Sequence, residues 1–74
     1  MFKTGDMIQF LIGGKITVEG NNPNRTSIEE EKNSVFLIIE EKENIITIFS
    51  QQTQTYSLWH RSELQSPGVF KKLC

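Results

Sequence analysis

The sequence predicts one small all-β domain, five short antiparallel strands bent into a barrel. Three observations predict it. The 74 residues include nine Ile, three Val and six Thr but no Ala. β-Branched side chains suit a pleated surface and lose rotamer freedom in helices, whereas a short helical bundle leans on Ala and Leu. Second, apolar residues fall in short runs separated by turns, and no helix is long enough for the crossover that parallel pairing needs. Third, the two best runs are apolar at nearly every position. Such strands are covered on both sides, or cover a ligand or partner on one. Bending the sheet buries both faces and removes its edges.

Each element follows from local chemistry. Thr4-Gly5-Asp6 is a turn that launches a first strand over residues 7–12, with Ile8, Phe10 and Ile12 on one face. Gly13-Gly14 is a bend, and Lys15 to Glu19 alternates as a second strand with Ile16 and Val18 sharing a face. Residues 20–33 form an acidic loop or insertion, rich at its start in Asn, Gly and Pro. Thr26 and Ser27 each precede a glutamate by three positions, which predicts one short helical turn near residues 27–32, with an irregular acidic loop as the alternative.

Val35 to Glu41 is the strongest strand signal, bulky, β-branched and bounded by polar residues. A charged hairpin over residues 40–44 leads to Ile45–Ser50, where Ile46 and Ile48 oppose Ile45, Thr47 and Phe49. Gln51 to Gln54 is a polar turn. Thr55 to Trp59 is the fifth strand, with Tyr56 and Leu58 on one face and Ser57 and Trp59 on the other. His60 to Leu64 is a helical or 3₁₀ turn, Ser66-Pro67-Gly68 breaks the chain, and residues 65–74 are a C-terminal tail whose Val69, Phe70 and Leu73 dock it.

Composition narrows function mainly by exclusion. The length allows one domain, residues 1–74, with a marginal core. One Cys cannot form an internal disulfide, and one His with one Cys cannot build a zinc site. The core therefore rests on aliphatic and aromatic packing, with a partner subunit as possible support. The single thiol and the lack of a signal or membrane segment predict a cytoplasmic protein, in the host cell if phage-encoded, with a virion location as the alternative. Net charge is −1, but residues 19–43 carry seven Glu against Arg25, Lys32 and Lys42. That asymmetry disfavours a uniform polyanion-binding surface, which needs clustered Lys and Arg.

No catalytic constellation is evident. Asp6 is the single aspartate and His60 the single histidine, and no nucleotide-binding glycine motif occurs. No catalytic residue, metal site or cofactor is expected. The glutamate clusters at 29–31 and 40–43 read as solvated turns. The richest chemistry lies in Phe49, Tyr56, Trp59, His60 and Arg61, because aromatics and Arg bury large area while keeping a polar handle. Two roles stay open there. Tyr56 and Leu58 finish the core while Trp59 covers its end, or these side chains contact a partner.

The order of signals resembles the short SH3-like β-barrel proteins of tailed bacteriophages. Gly5-Asp6 opens the chain, Val35–Glu40 and Ile45–Phe49 flank the charged hairpin, and Tyr56–Leu64 closes with Trp59 and Glu63-Leu64. The chain departs from that pattern at Ser34, where a glycine usually leads the strand, and at Gln51–Gln54, which lacks Asp-Gly or Asn-Gly. The resemblance implies an SH3-like barrel acting as a noncatalytic protein-interaction module with a host or virion protein as partner, and the two-sided apolar strands and marginal core add a second copy of the chain as another. Related Tudor- and KOW-type barrels imply the alternative, a nucleic-acid-binding domain. It would use aromatic platforms at Phe49, Tyr56 and Trp59 with Lys3, Lys15, Arg61, Lys71 and Lys72. No membrane partner is expected.

Overall fold

The computed structural model describes residues 2–18 and 26–73. The elements run β1 (Met7–Phe10), β2 (Gly14–Val18), β3 (Thr26–Glu30), β4 (Ser34–Lys42), β5 (Ile45–Ser50), β6 (Thr55–His60), α1 (Arg61–Leu64) and β7 (Phe70–Leu73). One sheet has the order β6-β5-β4-β1-β7 and the other pairs β2 with β3. Every pairing is antiparallel. Among the described residues no helix is long and apolar enough to cross a membrane.

The predicted all-β class and short antiparallel strands are present, with four corrections. The barrel is not closed. β6 and β7 are the end strands of the five-stranded sheet and are not paired with each other. The sheet curls until Trp59 on β6 meets Phe70 on β7 edge-to-face, at 5.2 Å between ring centroids. Aromatic packing bridges a seam that backbone hydrogen bonds leave open.

The second correction concerns residues 20–33. No helical turn forms near 27–32; residues 26–30 are β3, pairing Ile28 with Ile16 and Glu30 with Gly14. A strand puts Ile28 against the core and carries Glu30 inside. Glu30 is buried rather than solvated, its carboxylate accepting hydrogen bonds from Ser50 Oγ (3.1 Å) and Thr53 Oγ1 (2.6 Å). Those hydroxyls offset the cost of desolvating the carboxylate. The start of the predicted loop, residues 20–25, lies outside the described residues.

Third, the tail is part of the sheet: β7 pairs with β1, Phe70 opposite Phe10 and Leu73 opposite Met7. Fourth, the first strand ends at Phe10 instead of residue 12. The bend at Gly13 turns Ile12 outward, so it does not share the buried face of Ile8 and Phe10.

The inner face of the sheet holds the core. Ile8, Phe10, Phe36, Ile38, Ile46, Ile48 and Phe70 are buried there, joined by Ile16 from β2 and Leu64 from α1. Phe10 stacks on Phe70 at 5.0 Å, and Phe36 meets Phe70 edge-on at 5.7 Å. A register shift in β4 between Ile38 and Glu40 lets the strand bend. Beyond it Glu41 stands on the inner side, opposite Ile46.

Candidate functional site

The bend between β1 and β2 shapes one wall of an apolar cleft. Gly13 has φ +69°, and a Cβ there would stand 2.8 Å from the backbone nitrogen of Lys32. Both the left-handed conformation and the close approach require glycine. The bend swings β2 across the β6 side of the main sheet. Ile12 is left on the rim, 61% exposed, while Ile16 points inward.

The opposite wall comes from the β6–α1 corner. Trp59 stands on the inner face of β6, half-buried. Its indole Nε1 donates to Ser57 Oγ at 3.0 Å, and its ring packs edge-on against Phe10 and Phe70. The α1 turn is fixed by three contacts. Leu64 is buried, the His60 backbone N–H donates to Glu63 Oε1 at 3.3 Å, and the Arg61 backbone N–H donates to Asn44 O at 2.7 Å.

Between these walls lies a cleft of about 380 Å³, lined by Ile12, Gly14, Ile16, Trp59 and Val69, with Lys15 and Glu63 on its margin. A second depression of about 300 Å³ continues it along β2 and β6 past Thr17 and Leu58. The first cleft is mostly apolar and its continuation more polar, with Lys15 and Glu63 at the margin, so the first suits one or two apolar side chains presented by a larger molecule.

The five residues singled out in the sequence divide among three places. Phe49 and Tyr56 stand together on the outer face of the sheet, ring centroids 5.0 Å apart. His60 lies further along that face, opposite Ile45, exposed, with its Nδ1 3.2 Å from Ser62 Oγ. Trp59 is across the sheet, in the cleft. Arg61 is engaged with Glu41, Nη2 to Oε2 at 3.0 Å. The alternative core role is also rearranged: Tyr56 and Leu58 are half-exposed, while Ser57 and Trp59 face inward.

Glu41 and Asp6 anchor the corner where the N-terminal turn meets the sheet. The Thr4 backbone N–H donates to Glu41 Oε1 at 2.7 Å. That bond, then the Arg61 guanidinium, holds the Glu41 carboxyl below its ordinary value. Asp6 is lowered first by the Lys3 backbone N–H at 2.9 Å, with Lys72 Nζ contributing at 3.4 Å. Both carboxylates act as latches between segments. Among the described residues no three His, Cys, Asp or Glu side chains gather where they could hold a metal ion.

Ile12, Ile16 and Val69 escaped the sequence-based site. Gly13-Gly14 signalled the bend, but only the tertiary structure shows that it carries β2 over Trp59. Searches of protein-family models, curated proteins and solved structures gave no match.

Proposed function

We propose that this chain is a noncatalytic protein-interaction module that receives an apolar side chain of a protein partner in the cleft beside Trp59. The observation that carries this reading is the preformed cleft between two separately anchored walls. One of its residues, Ile12, is an isoleucine left largely exposed on the rim. Trp59 supplies a rigid aromatic wall, oriented by Ser57, and rigid aromatic surfaces make strong contacts at little conformational cost. The class of partner, a host factor or a virion component of a tailed phage, follows from the sequence resemblance. In that setting the chain works in the host cytoplasm or on the particle.

The nucleic-acid alternative has weaker support. It needs aromatic and cationic groups on one surface. Phe49 and Tyr56 stand on one face and Trp59 on the other, while Arg61 and Lys72 are paired with Glu41 and Asp6.

The test uses the immobilised full chain and an Ile12→Glu variant, with host extract and phage lysate as sources of partner. Ile12 is exposed, so the variant keeps its melting temperature. The expected result is a protein retained by the wild type and lost by the variant. Equal retention by both, or none by either, contradicts the proposal.

A further inference from the structure

The outer face of the five-stranded sheet carries a feature separate from the cleft. The strand registers place Leu73, Met7, Leu37, Phe49 and Tyr56 directly opposite one another, one from each of β7, β1, β4, β5 and β6. This row crosses the whole sheet without an ionised side chain. Along β4, Val35 and Ile39 extend it above and below Leu37. Met7 is 37% exposed, Ile39 36% and Tyr56 47%. In an antiparallel sheet with one solvated face, that face alternates to polar residues; here its central row is apolar from edge to edge. Ionised groups stand only outside the row, at Glu40, Lys42 and Lys71.

We infer that a second copy of this chain covers this face, forming a two-fold sheet-on-sheet dimer. Self-pairing follows from the row's own symmetry. A two-fold axis running along it lays the row against itself and brings Val35 of each copy toward Ile39 of the other, so no second surface is required. No unpaired charge within the row would repel an identical face. The size also fits. Five strands spaced about 4.8 Å apart, with side-chain rows about 6.7 Å apart along each strand, give a projected face of roughly 400–500 Å². With Ile45 and Leu58, also exposed on this face, the apolar surface approaches the small end of specific interfaces, about 600–800 Å² per partner. Two twisted sheets pack face to face at about 10 Å with interdigitating side chains. Area alone does not fix affinity, but a face this small set against the cost of association predicts a weak dimer.

Sedimentation equilibrium on the full chain, from about 1 µM to about 500 µM, tests the inference. The wild type is expected to pass from monomer to dimer over that range. Tyr56→Lys and, separately, Met7→Lys should raise the dissociation constant about tenfold or more, because each puts a charge within the apolar pairing row. Both residues are exposed, so both variants stay folded. Ile12→Glu, on the cleft, should leave the dissociation constant unchanged. A wild type that remains monomeric throughout overturns the inference. So does association that survives both lysine variants, or that is lost only with Ile12→Glu. The first two of these outcomes leave partner capture by the cleft untouched, and that reading has its own test.

Discussion

The two faces of one sheet use the same residue types for different ends. On β4 the inward side chains Phe36 and Ile38 are fully buried, while their neighbours Leu37 and Ile39 are half-buried or exposed. On β5, Ile46 and Ile48 are buried and Ile45 is exposed. Sequence cannot say which set points inward, because both strands are apolar at consecutive positions. The difference arises from what else the chain supplies. Among the described residues, β2, β3 and α1 send Ile16, Ile28 and Leu64 into the inner face, while Met7, Ile39 and Tyr56 on the outer face stay exposed. An apolar run in a domain this small therefore shows that two faces want cover, and the topology shows which one the chain covers itself.

That contrast gives graded expectations. Phe36→Ala, in the middle of the aromatic cluster, should destabilise the protein by about 3–5 kcal/mol in urea denaturation. A loss near zero would mean that the inner face is not the core. Glu30→Ala should cost about 1–3 kcal/mol, because Ser50 and Thr53 lose the buried acceptor that ties β3 to the end of β5. If melting is unchanged, the β2–β3 hairpin is held by its apolar contacts alone. Gly13→Ala should cost about 1–2 kcal/mol from the left-handed conformation, with the contact to Lys32 adding to it.

Acid sensitivity should come from the corner latches. The folded-state pKa values of Glu41 and Asp6 lie below their ordinary values of 4.5 and 3.8. Their contribution is therefore complete at neutral pH, above those ordinary values, and is lost as pH falls through the lowered ones. Melting temperature measured against pH should decline on the acid side of about 4.5, with a shallower decline in Glu41→Gln. An identical profile in that variant would remove Glu41 from the account. The smallest effect is expected at the outer face. Tyr56→Lys should change monomer stability by about 0.5 kcal/mol or less.

Much of the fold was legible because alternation fixes which side chains share a face. Ile46 and Ile48 against Ile45 and Phe49, and Ser57 and Trp59 against Tyr56 and Leu58, were all separable from spacing alone. Which of the two faces points inward was not. Three further features depended on contacts distant in sequence. β3 was hidden because Glu29, Glu30 and Glu31 read as a solvated turn, and only Ser50 and Thr53 make a buried Glu30 tolerable. β7 was hidden because Lys71 and Lys72 mask a short edge strand. The cleft was hidden because Gly13-Gly14 reports a bend but not its direction. Of the candidate site, the aromatic content was visible and its division between two faces was not.

The division of labour between the faces is tested most directly by urea denaturation of Phe36→Ala and Tyr56→Lys at one low protein concentration, about 1 µM, where monomer dominates. The account predicts that Phe36→Ala loses about 3–5 kcal/mol and Tyr56→Lys about 0.5 kcal/mol or less. Losses of similar size in the two variants would contradict it, because the outer face would then be part of the monomer's core.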